Sequence, residues 1–269
     1  MLRRYKDFSI EVGLHRGSFI AAPRAEQQRW VVHRAVDELA EQLRHLDVIA
    51  PEFVDGTTRG EINAEWHDSE ADYHDGSLII EGQQVMQDWE AALMRRMAER
   101  VGAGHGDILE IGFGLGLSAT FIEEQGVRSH TIVEFNDQVL EVAKAWRARR
   151  PDSDIELIQG NWQSVMPTLG DFDGIFWDAF PTSEDEFDQY VLRDSTVAEA
   201  FFSEAAAHLR PGGVFTYYTN ERDSLSRRHQ RSLLRYFSSF SVEVVDGLVP
   251  PADCQYWWTD RMTVVTATR

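Results

Sequence analysis

The chain of 269 residues has a single cysteine, Cys254. One thiol cannot close a disulfide within the chain or supply an all-cysteine metal cluster. No apolar run approaches the roughly 18 residues needed to cross a bilayer. Basic residues follow Met1 but no apolar stretch succeeds them, so the start does not read as a signal peptide. Positive charge is scarce as well: 26 Lys and Arg face 45 Asp and Glu, a formal charge of −19. Nucleic-acid binding needs Lys and Arg to neutralise phosphates, which sets that class aside. The acidic balance suits a cationic substrate and equally serves solubility. The nine histidines form no Cys/His cluster and no His-x-x-x-His pair, so no metal site is expected. These absences point to a cytoplasmic protein whose partners include neither membrane nor nucleic acid.

What remains is an ordinary globular composition, 43% hydrophobic and 26% charged, enough for a sizeable core. Residues 1–62 stand apart as an N-terminal helical extension. From Arg24 to Leu46 the apolar residues Trp30, Val31, Ala35, Val36, Leu39, Leu43 and Leu46 recur at three- and four-residue spacing, the period of an amphipathic helix. That stripe must be buried against the core or a second copy, and a homodimer is the expectation. A second helix is expected from Gln83 to Val101, closed by a glycine-rich turn. After Gly106, strands at 107–111, 130–134, 155–159, 172–178, 214–218, 241–247 and 262–267 alternate with helices over 118–125, 138–149 and 196–209. Such alternation predicts, for residues 63–269, a doubly wound α/β domain with a mostly parallel seven-stranded sheet. His105 and His130 border turns and read as surface residues.

Glu110-Ile-Gly-Phe-Gly-Leu-Gly-Leu-Ser lies between the first strand of this series and its helix. Gly112 and Gly114 permit a sharp turn and close approach of a ligand; Gly116 lets the helix start near the strand. Glu134 ends the next strand, where an acid can hydrogen-bond a ribose diol. The constellation fits a nicotinamide dinucleotide, S-adenosylmethionine or a purely structural turn. Its Gly-x-Gly-x-Gly spacing departs from the dinucleotide Gly-x-Gly-x-x-Gly. Glu110, Asn161 and Trp162 after the third strand, and Asp178 at the end of the fourth favour the methyl donor.

The chain also carries Val85-Met-Gln-Asp-Trp-Glu, Leu109-Glu-Ile-Gly-Phe-Gly, Ile132-Val-Glu-Phe-Asn-Asp and Phe172-Asp-Gly-Ile-Phe-Trp-Asp-Ala-Phe-Pro. Arg210-Pro-Gly-Gly-Val-Phe-Thr-Tyr and Leu248-Val-Pro-Pro-Ala-Asp-Cys-Gln-Tyr follow. From about Trp66 to the C-terminus it resembles the guanidinoacetate N-methyltransferase family and its relatives that methylate arginine. The resemblance implies a class I, Rossmann-like methyltransferase fold, S-adenosylmethionine as cofactor and a small guanidino substrate. It implies that Glu90 and Asp178 grip the guanidino group. Trp66, Tyr73, Met86 and Met94 match positions around the donor. So do Gly112, Phe113, Gly114, Leu115, Gly116, Leu117, Glu134, Asn136, Asn161, Trp162 and Asp178. Backbone at about Asn220 and Glu221 matches the hold on the substrate carboxylate.

Elementary chemistry supports the two carboxylates separately. A guanidinium is planar and rich in N–H donors, and carboxylates meet it in bidentate fashion. The attacked nitrogen sheds a proton as it gains a carbon, so a neighbouring carboxylate can serve as general base. The chain departs from the guanidinoacetate pattern between Tyr218 and Ser241, where it is shorter, and in residues 1–62. Both differences fall on the carboxylate side of the substrate. Free L-arginine, guanidinoacetate and related metabolites therefore stand together as acceptors. Protein arginine methylation and a non-catalytic scaffold of the same fold are the alternatives.

Overall fold

The computed structural model describes residues 66–181, 186, 196–219 and 221–269. The helix expected over 24–46, the 62/63 boundary and Asn220 lie outside those residues, as does the ground for a homodimer. Two compact units partition the chain, residues 1–58 with 255–258, and residues 59–254 with 259–269. All elements below belong to the second.

Three short strands come first: β1 (Ala71–His74), β2 (Ser77–Ile80) and β3 (Gln83–Gln87), an antiparallel meander. Its two-residue turns are Asp75-Gly76 and Glu81-Gly82, all four residues at positive φ, the backbone that matches the twist of a tight hairpin. Sequence periodicity assigned 83–101 to one helix. Instead β3 is followed by a 3₁₀ turn at Asp88–Glu90, and helix α1 spans only Ala91–Gly102. The meander needs Gln83–Gln87 extended to pair with β2, and that tertiary pairing overrides the local apolar spacing.

The main sheet follows the expected alternation. Its strands are β4 (Asp107–Ile111), β5 (Ser129–Glu134), β6 (Ile155–Gln159), β7 (Phe172–Trp177), β8 (Leu209–Tyr217), β9 (Ser239–Asp246) and β10 (Arg261–Thr268). Their order is β6-β5-β4-β7-β8-β10-β9. Pairing is parallel from β6 through β8; β10 runs antiparallel to both its neighbours. Among the described residues the remaining helices are α2 (Leu117–Glu124), α3 (Asp137–Ala148), α4 (Trp162–Val165), α5 (Phe202–His208) and α6 (Arg227–Tyr236). This is the doubly wound, mostly parallel seven-stranded sheet that the sequence predicts.

One face is filled by Phe201, Phe202, Phe215, Tyr217 and Phe237, with Phe215 and Phe237 stacked at 5.5 Å. Each such side chain contributes roughly 1.5–3 kcal/mol on burial. On α1 the residues Leu93, Met94, Met97, Ala98 and Val101 are buried, and this helix packs on α2 and on β7, β8 and β10. At the amino-terminal rim, Arg210 Nη1 lies 3.0 Å from Asp107 and 2.7 Å from Asp173, and Arg128 bridges the same two aspartates. Paired with these guanidinium groups, both aspartates are held below the usual carboxylate range. No helix among the described residues is long and apolar enough to cross a membrane.

The chain leaves β4 for β5 and β6 on one side and for β7 and β8 on the other. Ligands of open α/β sheets bind outside the carboxyl ends at such a switch point.

Candidate active site

β4 ends in the glycine loop, with Gly112, Gly114 and Gly116 at φ of 90°, 53° and 71°. At Gly112 the reason lies across the sheet. Asp178 N–H donates to the Ile111 carbonyl at 3.0 Å, and a Cβ on Gly112 would run into the Asp178 carbonyl oxygen. The start of the loop and the end of β7 are thus in backbone contact.

The meander lies over this loop. Tyr73 Oη donates to the Gly114 carbonyl at 3.3 Å, and Leu115 N–H approaches Met86 Sδ at 3.4 Å. Glu134, buried at the end of β5, accepts N–H bonds from Phe113 at 2.9 Å, Phe135 at 2.7 Å and Asn136 at 2.8 Å. Burial raises its pKa; those N–H groups oppose the rise. The charge of Glu134 in turn acts on Tyr73, whose pKa is raised first by burial and then by that carboxylate. Gly160 N–H donates to the Glu134 carbonyl at 2.9 Å, which brings the end of β6 alongside.

These groups fit a nucleoside-bearing donor. Backbone N–H groups of Phe113, Asn136, Phe135 and Gly114 all bear on the Glu134 carboxylate, which fixes it at the end of β5 beside the glycine loop. Gly112–Leu117 supply the backbone, with Tyr73 and Met86 above it. Trp66 is buried and stacks on Phe180 at 5.0 Å, close to Asp178 in sequence. The Asn161 side-chain oxygen caps α4 by accepting the Ser164 N–H at 2.9 Å. The Trp162 ring meets Phe201 edge-on at 5.2 Å, so part of it is committed to the core.

Other expected donor residues have different roles. Asn136 is fully buried and saturated. Its nitrogen donates to the Trp66 and Ser69 carbonyls at 2.8 and 2.9 Å, and its oxygen caps α3 through the Gln138 and Val139 N–H groups. It ties the Trp66 segment to the sheet and has no group left for a ligand. The Phe113 side chain points into the core against Trp146, leaving its backbone to the site. Met94 is fully buried on α1.

Asp178 follows β7 and Glu90 ends the 3₁₀ turn ahead of α1. The Glu90 carboxylate, 2% exposed, accepts the Gln87 N–H at 2.9 Å. Burial, with the charge of Glu110 adding, pushes the Asp178 carboxyl up to about 7. Glu110 is fully buried and lies 3.0 Å from His130 Nε2, while His130 Nδ1 lies 3.1 Å from Glu123. Burial alone would lower the His130 pKa; the two carboxylates outweigh it and raise it. The surface assignment of His130 is therefore corrected. It stands on β5, an interior strand, and an imidazole survives there because both nitrogens face acids. Exposed His105 matches its expectation.

Glu221 follows β8 as expected, but its carboxylate turns away to the Ser226 N–H and to His229 Nδ1 at 3.0 Å. Its carbonyl accepts from Thr263. The sequence reading also missed Tyr218. Its hydroxyl is buried without a hydrogen-bond partner, and the charges bearing on it are those of Glu90, Asp178 and Cys254. His67, Asp68 and Asp137 gather ligand-type atoms within 4.8 Å at the mouth of α3, where His67 forms ion pairs with both aspartates.

Strand order, glycine loop and the acid after β5 define a class I methyltransferase fold. Spermidine synthase in complex with the transition-state analogue AdoDATO superimposes with a TM-score of 0.54 at 16% identity, covering 74% of this chain and 72% of that one. The Thermotoga maritima spermidine synthase gives 0.50 at 14% identity, covering 74% and 71%. Both are likenesses of fold. Residues 55–223 match the guanidinoacetate N-methyltransferase family, and the chain belongs to it. Protein arginine N-methyltransferase 2 of Candida glabrata is 33% identical over 159 residues, 54% of this chain and 35% of that protein. Its Saccharomyces cerevisiae counterpart is 30% identical over 164 residues, 56% and 36% respectively. The matched segment spans about a third of the length of these relatives.

Proposed function

We propose that this chain transfers a methyl group from S-adenosylmethionine to a guanidino nitrogen of a small molecule such as L-arginine or guanidinoacetate. What supports this reading is that Asp178 follows β7 in backbone contact with the glycine loop, that Glu90 is buried ahead of α1, and that the charges of both bear on the buried Tyr218 hydroxyl. When bound, S-adenosylmethionine supplies an electrophilic methyl carbon on a sulfonium leaving group. Glu90 and Asp178, on different elements, fix the guanidinium plane so that one nitrogen faces that carbon. Such positioning lowers a barrier by several kcal/mol. Asp178, pushed up to about 7, is suited to hold the proton that the nitrogen gives up near neutral pH.

One observation favours a second acceptor, an arginine side chain in a protein: the curated relatives are named for that activity. The test is incubation of the chain with S-adenosylmethionine and a panel of L-arginine, guanidinoacetate, other guanidino metabolites and an arginine-containing peptide, with methylated products read by mass spectrometry. Methylation of a free guanidino compound is expected. Product on the peptide alone would move the assignment to the second acceptor, and no guanidino product at all would overturn both.

A further inference from the structure

Tyr217 and Tyr218 are consecutive, and the structure treats their hydroxyls in opposite ways. Tyr217 points into the aromatic core, where its hydroxyl pairs with His229 Nε2 at 2.6 Å. Tyr218 continues the parallel register of Trp177 with Tyr217, donating its N–H to the Trp177 carbonyl at 3.1 Å. It therefore lies beside Asp178, and strand alternation turns both side chains to the face opposite Trp177 and Tyr217. That is the face covered by α1, the helix that Glu90 precedes. There the Tyr218 hydroxyl is buried and has no hydrogen-bond partner. Buried hydroxyls are almost always paired, and phenylalanine would fill the same space without an orphaned donor. The fold itself gives no reason for the oxygen.

A guanidino acceptor does. Two carboxylates can occupy four guanidinium N–H groups, and a monosubstituted guanidinium has five. A hydroxyl between the carboxylates can accept from an N–H and donate to an acid at once, which neither acid can do while ionised. We propose that Tyr218 is a third acceptor-binding group: its oxygen takes one guanidinium N–H while its proton goes to the Glu90 or Asp178 carboxylate. The hydroxyl thereby fixes the rotation of the guanidino plane. The proposal rests on the guanidino reading above and adds a residue to it. Because the hydroxyl lies in reach of the charges of both Glu90 and Asp178, its bearing is on acceptor binding.

The experiment compares the wild type with Tyr218→Phe, and uses Tyr217→Phe as the reference for a structural hydroxyl. Tyr218→Phe is expected to raise the acceptor KM about tenfold or more, with kcat falling less, S-adenosylmethionine affinity unchanged and the ligand-free melting temperature unchanged or higher. Tyr217→Phe is expected to lower the melting temperature and leave the acceptor KM in place. As a measurement free of mutation, saturating L-arginine or guanidinoacetate, whichever the chain methylates, is transparent in the near ultraviolet and is expected to perturb tyrosine absorbance in the wild type. An acceptor KM within twofold of wild type for Tyr218→Phe, or no absorbance change in an active wild type, overturns the role of Tyr218 and leaves the guanidino reading intact. A wild type that methylates no guanidino compound overturns both.

Discussion

Glu110 and His130 stand on adjacent strands, β4 and β5, with carboxylate and imidazole 3.0 Å apart and both side chains fully buried. The pair sits directly behind the glycine loop, and its acid adds to the rise in the Asp178 pKa. Removing the imidazole leaves a buried carboxylate without its partner, a loss of about 3–5 kcal/mol in comparable pairs. His130→Gln is expected to lose stability on that scale by denaturant unfolding. Whatever folds should show the alkaline-rising limb of its pH–rate profile displaced to higher pH.

Asp178 itself should give stability and activity opposite pH dependences. Its folded pKa, about 7, lies above that of an unfolded aspartate, about 3.9. The folded chain therefore binds more protons between those values, and its stability falls as pH rises through that window. Asp178→Asn removes the buried charge. It is expected to raise the ligand-free melting temperature at pH 8 and change it little at pH 4. In the wild type, kcat/KM for a guanidino acceptor should rise with one ionisation near pH 7, since the carboxylate form grips the cation.

Activity should pay for that gain in stability. Asp178→Asn and Glu90→Gln are each expected to lower turnover by on the order of 10²-fold or more, the scale of losing an acid–base group. An amide keeps one acceptor oxygen but cannot take a proton, and its NH₂ confronts a guanidinium N–H. Donor affinity should hold for Glu90→Gln by calorimetry. Wild-type turnover in both variants would sink the two-carboxylate mechanism.

Glu134→Ala is expected to weaken S-adenosylmethionine by about 1–3 kcal/mol, the cost of deleting a charge-assisted acceptor. Since Glu134 also holds the N–H groups of Phe113 in the loop and of Phe135 and Asn136 after β5, Glu134→Gln should recover part of the loss through its remaining acceptor oxygen. Unchanged donor affinity in the alanine variant would reject the assignment, and tight NADH binding would revive the dinucleotide reading.

Strands β4 and β6 lie where apolar runs between turn residues place them, because a buried parallel strand needs little beyond such a run. The meander was harder to read. Val85, Met86 and Trp89 continue the helical spacing of α1 backwards, while the Asp75-Gly76 hairpin signal lies outside that window. His130 and Tyr218 were missed for a shared reason. A lone histidine at a strand start reads as polar surface, and a tyrosine ending a strand carries no signal of its own; only the facing strand reveals Glu110 behind one and Asp178 beside the other. Asn136 is two residues from Glu134, and its saturation became visible only with Trp66 and Ser69 in place. Motif order placed the glycine loop after β4 and Asp178 after β7, where the structure has them.

β4 and β7 carry acids at both of their ends. At the amino rim, Asp107 and Asp173 share the guanidinium groups of Arg128 and Arg210. At the carboxyl rim no cationic side chain among the described residues pairs with Asp178, and burial, with the charge of Glu110 adding, raises its proton affinity. On the guanidino reading, this leaves uncompensated acid at the carboxyl ends of the strands, where ligands of open α/β sheets bind. The field of such acid draws cations in and is screened over about 10 Å at 0.1 M salt. Capture of a guanidinium from solution should accordingly slow as ionic strength rises, and a net-neutral acceptor should feel the change less than a doubly cationic one.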